Sequence, residues 1–210
     1  MCPTLAALAV GLSACALPGG APDTTPATAA AMPVAGSPRG APAVEVGPGP
    51  MAVYRVEPQP PPGSCHYTYV GADPLPDPSC SPGAVSPQVT EATIGTTICR
   101  SGYASSVRPS ERVTDAEKAA SAAAYGYTGS FRTAEYDHLI PLELGGDPDD
   151  PANLWVEPND LPRATSTANG KDLLEDRLNH LVCSGRLSLV TAQRAIATDW
   201  VAADRSYLRS

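Results

Sequence analysis

The segment Tyr136-Asp137-His138-Leu139-Ile140-Pro141-Leu142-Glu143-Leu144-Gly145-Gly146, answered by Asn153-Leu154-Trp155, constrains this chain more than any other stretch. An acidic residue directly before a histidine opens a short apolar run, and a Gly-Gly turn follows. Asp147, Asp149 and Asp150 make the loop acidic, a second short strand runs from Asn153 to Val156, and Asn169-Gly170-Lys171-Asp172 opens a helix. Strand, glycine loop, strand and helix can gather an acid, an imidazole and two amides around one divalent metal ion.

On these residues the segment, roughly 130–185, resembles the HNH nuclease family, whose core is a ββα-metal unit. Asp137-His138 matches the first motif element, Asn153 the middle one and Asn169 the helix-borne one. The fold expected is α+β: a small ββα-metal (HNH-like) core with flanking helices and a disulfide-stapled, loop-rich N-terminal lobe. The resemblance implies a metal-dependent endonuclease that hydrolyses phosphodiester bonds of DNA, or of RNA. His138 is then the general base that takes a proton from water near neutral pH. Asp137 and Asn169 are the metal ligands, with His180 and Glu175 as alternates on the helix. Asn153 orients the imidazole and the loop as an outer group. Oxygen ligands favour Mg²⁺ or Mn²⁺, and Zn²⁺ suits members richer in histidine. Lys171 and Arg163, or Arg132, are the cations expected to meet the phosphate. Asn169 also has the commoner role of a helix N-cap, and Trp155 and Trp200 read as core residues.

The chain has 210 residues, and its ends are unlike its middle. Residues 1–15 form an apolar run too short to span a bilayer, which takes about 20 apolar residues, and they read as a secretory signal. Leu12-Ser13-Ala14-Cys15 looks like a lipobox, with Cys15 lipidated as a membrane anchor, although no Lys or Arg precedes the run. Residues 16–63, rich in Pro, Ala and Gly, are expected to form a disordered tether, because they carry too few large apolar residues to offset the entropy of ordering. A nuclease domain over 64–210 follows, exported as an envelope lipoprotein or a secreted protein. No obligate oligomer is implied.

Once Cys2 and Cys15 are set aside, Cys65, Cys80, Cys99 and Cys183 remain, an even number that implies two disulfides in an exported chain. Three pairings exist; Cys65–Cys80 as a local staple and Cys99–Cys183 as a long tie are favoured over the others. The cysteines lack Cys-x-x-Cys spacing, which argues against a zinc site. A formal net charge of −8, from 14 basic and 22 acidic residues, disfavours a broad basic surface for nucleic acid. An enzyme that meets phosphate through an ion and a few arginines is still allowed. A non-catalytic envelope protein using the ββα unit as a binding module is the alternative.

Among the flanking elements, Thr114-Asp115-Ala116-Glu117 matches a capping box for a helix ending at Gly126. Leu173, Leu174, Leu178 and Leu181 are expected to form one buried stripe. Ser188 is placed to cap a last helix to about Tyr207, with Ile196, Trp200 and Val201 inward. Short strands are expected at Cys65–Val70 and Thr96–Cys99, and a stray one at Met51–Val56.

Overall fold

In the computed structural model, residues 44–159 and 169–208 are described. Among the described residues the fold is α+β, with three two-stranded sheets and four α-helices. The strands are β1 (Glu45–Val46), β2 (Thr68–Val70), β3 (Asp73–Leu75), β4 (Ala84–Val85), β5 (Ala134–His138) and β6 (Leu154–Pro158). The helices are α1 (Tyr103–Val107), α2 (Glu111–Ala124), α3 (Lys171–Cys183) and α4 (Leu189–Tyr207).

The antiparallel hairpin β5–β6 organises the rest. Its register pairs Glu135 with Glu157, Tyr136 with Val156, Asp137 with Trp155 and His138 with Leu154. Because side chains alternate along a strand, Glu135 and Asp137 share one face while Tyr136 and His138 take the other. Helix α2 lies against the strands, and its Ser121 hydroxyl accepts a hydrogen bond from the Val156 amide. Ala122, Ala124, Tyr125, Leu139, Trp155 and Val156 form one apolar cluster. The hairpin loop inserts Ile140 and Leu144 into a second, built with Leu174, Leu178, Val182, Ile196 and Trp200 of α3 and α4. The hairpin is thus clamped between two cores, which fixes the end of β5 against the start of α3.

The helices follow their sequence signals in part. α4 starts where expected: the Ser188 hydroxyl accepts from the Thr191 amide, and Ile196, Trp200 and Val201 are buried. It kinks at Asp199, whose carboxylate accepts from the Ala202 amide and restarts the helix. α2 begins at Glu111, ahead of the capping box. Glu117 does not reach back to its own helix; it is buried and accepts from the Glu57 amide at 2.7 Å. α2 ends at Ala124 with Tyr125 as its cap, and Gly126 follows in the left-handed region at φ 62°. In α3, Leu174, Leu178 and Leu181 are buried as expected, but Leu173 is 62% exposed. It lies one position, about 100° of helix rotation, from Leu174 and so off the stripe.

Residues 44–63 are not a free tether. β1 pairs in parallel with β4, the Tyr54 hydroxyl donates to the Val107 carbonyl, and the Gly63 amide donates to the Ala123 carbonyl. Hydrogen bonds hold the segment more than apolar burial does: Val44 packs against the core, but Val46, Val53 and Val56 are exposed. Hydrophobic content was therefore the wrong gauge of its order, and Met51–Val56 forms no strand. The rest of the tether (16–43) and residues 1–15, with Cys15, lie outside the described residues. The lobe from Cys65 to Arg112 is loop-rich, with only the β2–β3 hairpin, β4 and the short α1. The strand expected at Thr96–Cys99 is instead a 3-10 turn, Ile94–Thr96. Thr93, with its hydroxyl on the Gln88 carbonyl and its own carbonyl accepting from Thr97, winds the segment.

Disulfides join Cys65 to Cys80 and Cys99 to Cys183, the favoured pairing. They point to an oxidising, extracytoplasmic environment. Among the described residues no helix is long and apolar enough to cross a membrane.

Candidate active site

Asn153 locks the hairpin loop. It is fully buried; its Nδ2 donates to the carbonyls of Ile140 and Asp147, and its Oδ1 accepts from the Ile140 amide. A longer bond at 3.4 Å reaches the Ala84 amide, so both donors and both lone pairs are engaged. The Gly-Gly pair makes this closure feasible. Gly145 has φ 75°, and a Cβ on Gly146 would stand 1.7 Å from the Ile140 carbonyl oxygen. Asp147 then caps the loop, accepting from the amides of Asp149, Asp150 and Gly49.

The Asn153 bonds all go to backbone groups and none to the His138 ring, which is 5% exposed with Nε2 3.0 Å from the Pro148 carbonyl oxygen. A carbonyl only accepts, so Nε2 carries the proton and Nδ1 is left with the lone pair. Burial depresses the imidazole to about 4, against the opposing pull of the Pro148 bond and Asp137. At neutral pH the ring is uncharged and can take a proton.

Asp137 faces the other way, toward α3. Its Oδ2 accepts from Trp155 Nε1 at 3.1 Å and from the Lys171 ammonium at 2.7 Å. Lys171 is fully buried and also donates to the His138 carbonyl and to Glu175 Oε1. These three bonds use all of its donors. Burial alone would lower Lys171, but Asp137, Glu175 and Glu157 outweigh it and hold the ammonium well above its usual range. Glu157 is 1% exposed, and neither of its oxygens has a partner among the described residues. Burial, then Asp137, pushes its carboxyl upward. Glu135 is pushed up to about 7, by burial and then by Asp137 and Asp172.

The other expected residues are placed differently. Asn169 does not turn its oxygen to Asp137; the oxygen accepts from the Lys171 amide, the helix-start role. Lys171 is not available to a phosphate, because burial and three acceptors hold it. His180 is exposed, and Glu175 is bound to Lys171. Arg132 is exposed in a 3-10 turn, Phe131–Thr133, and Arg163 lies outside the described residues. Among the described residues no group of three or more His, Cys, Asp or Glu is placed to hold a metal ion. The position between Asp137 and Glu175 is filled by an ammonium, so as arranged these residues do not fit a divalent ion.

Sequence reasoning gave no site role to Glu135, Glu157, Tyr136 or Arg108, and read Glu117 only as part of a helix cap. Period-two alternation from Asp137 was the signal for Glu135; Glu157 needed the hairpin register. Arg108 is exposed, and its charge acts on both His138 and Glu135.

No protein-family model matches the chain. Comparison with curated proteins and with solved structures found no significant match either.

The buried acids predict a pH dependence. Glu135 and Asp149, both raised to about 7 in the fold, titrate near 4 when unfolded. Their contribution is therefore fully present below about pH 4 and is lost as pH rises through about 7. His138, at about 4 folded and about 6.5 unfolded, acts in the opposite sense, losing stability as pH falls between those values. Two carboxyls outnumber one imidazole, so without added divalent ions the urea midpoint should be lower at about pH 8 than at about pH 5.5. A midpoint that rises over that interval would contradict this assignment of the buried acids.

Proposed function

We propose that the chain is an exported HNH-type endonuclease that hydrolyses phosphodiester bonds of DNA, with His138 as general base. The observation that carries the reading is the His138 ring: uncharged, its Nε2–H anchored on the Pro148 carbonyl, at the end of a strand whose loop Asn153 locks. Nδ1 is the atom that accepts the proton from an attacking water, and the neighbouring Asp137 charge favours the imidazolium that forms. Lys171 and Trp155 are positioning residues; they fix the Asp137 carboxylate on the α3 side of β5, across the strand from the ring. Arg108 is the cation offered to the phosphate. The proposed setting is the cell envelope or the medium, with Cys15 as the lipid attachment point.

A second reading is favoured by one observation. The Lys171 ammonium fills the point between the helix and Asp137, which suits a non-catalytic binding module that keeps the ββα shape. Plasmid nicking with Mg²⁺, Mn²⁺ or chelator, comparing wild type with His138→Ala, separates the two. Loss of at least about 100-fold on removing a general base is expected. Equal cleavage by both proteins, or none by wild type under any condition, would overturn the nuclease reading.

A further inference from the structure

The face of the hairpin opposite Lys171 holds a second set of buried acceptors. Asp149 is 1% exposed, and neither carboxylate oxygen has a partner among the described residues. Glu117, fully buried on α2, uses Oε1 on the Glu57 amide and leaves Oε2 unpartnered. The Tyr136 hydroxyl lies near both acids and beside the Gln59 side chain, and its oxygen and the Gln59 carboxamide oxygen are also buried. These groups come from four segments: the hairpin loop, α2, β5 and the N-terminal strap.

Asp147, two residues away, shows how this loop satisfies an acid, with three backbone amides around it. Asp149 has no such amides. The charges acting on it, those of Glu117, Glu57 and Asp147, are all negative, and with burial they push its carboxyl up to about 7. A buried carboxylate lacking both donor and counter-charge is expensive. One proton shared between Asp149 and Glu117 would leave further oxygens bare.

We propose that Asp149, Glu117 Oε2, Gln59 Oε1 and the Tyr136 hydroxyl form a Ca²⁺ site that clamps the N-terminal strap onto the hairpin loop. Two carboxylates with two neutral oxygens and water match the flexible, all-oxygen coordination of Ca²⁺ better than the strict octahedron of Mg²⁺. Two carboxylates are few, so affinity in the range of extracellular modules, about 10⁻⁴–10⁻³ M, is expected. Such a site is loaded outside the cytoplasm, in the compartment to which the disulfides point. It lies on the Tyr136–His138 face, away from the Asp137–Lys171 pair, and it holds whether or not the chain cleaves DNA.

The test is Tb³⁺ luminescence excited through tyrosine, with Ca²⁺ as competitor, together with the Ca²⁺-induced shift in melting temperature of the full chain. Wild type should show saturable Tb³⁺ emission that Ca²⁺ displaces, and Ca²⁺ should raise its melting temperature. Asp149→Asn should weaken binding at least about tenfold and lose the Ca²⁺ shift; Glu117→Gln should weaken it too. Glu175→Gln, on the other face, should bind as wild type does. Circular dichroism of Asp149→Asn without Ca²⁺ should match wild type, which separates lost ligation from lost folding. No binding by wild type, undiminished binding by Asp149→Asn, or loss confined to Glu175→Gln would overturn the site.

Discussion

Lys171→Met is expected to cost about 3–5 kcal/mol of folding stability near neutral pH, the range for removing one partner of a buried ion pair. The ammonium is fully buried and makes every hydrogen bond available to it, to Asp137, Glu175 and the His138 carbonyl. Methionine fills similar space but leaves Asp137 and Glu175 without a counter-charge, beside Glu157, whose oxygens already lack partners. Most of the cost is therefore the desolvation of the acids left behind. Two consequences separate this account from a simple packing defect. The deficit should shrink as pH falls toward about 5, because the stranded carboxyls take up protons. Lys171→Met with Glu175→Met should recover part of the loss, since an apolar pair can replace a buried ion pair at little cost. Urea denaturation of the three proteins at two pH values measures all of this. A single-variant deficit below about 1 kcal/mol would mean that the ammonium is not the charge centre joining α3 to β5.

How much of this was readable from the sequence depends on what holds each part. The hairpin was legible because its signals are local: Asp137-His138 before an apolar run, a Gly pair with no room for a Cβ, and Asn153 beginning the return strand. The cap at Ser188 and the buried face of α4 were legible for the same reason. Residues 44–63 were not, because much of their order comes from backbone amides meeting acceptors far along the chain, such as Glu57 on Glu117 and Gly49 on Asp147. A composition rule that weighs only apolar side chains cannot register those bonds. The same blind spot misplaced the start of α2, since Glu117 could not be known to be engaged by the strap.

The candidate site divides along the same line. Asp137, His138 and Asn153 were singled out by the family resemblance that their order and spacing carry, while the partner of Asp137 was not foreseen. Asn169 and Lys171 are two residues apart on the entry to α3, and only the docking of that helix decides which one reaches the strand. The amide stays with its own helix and the longer lysine side chain crosses to Asp137. That exchange turns an expected metal position into an ion pair.

Removing the Cys99–Cys183 bridge by a double serine substitution is expected to cost about 4.5 kcal/mol, against about 3 kcal/mol for the Cys65–Cys80 bridge, on loop-closure entropy. The difference arises from sequence separations of 84 and 15 residues. Chain entropy acts on the unfolded state, and the native contacts around the long bridge argue that it should dominate here. Leu174, Leu178 and Val182 keep α3 in the core whether or not its last residue is tied to the N-terminal lobe. Asn179 Nδ2 also donates to the Glu143 carbonyl at 2.7 Å, independently fixing α3 to the hairpin loop. The folded site should therefore survive in the serine variant, with the Asp137–Lys171 pair intact. The unfolded chain, freed of its longest covalent loop, should expand and expose more surface, so the urea midpoint should fall while the slope m rises. An unchanged slope with a fallen midpoint would shift the explanation to native-state contacts near Cys183. A loss smaller than that for Cys65–Cys80 would show that the unfolded chain stays compact over this span without the bond.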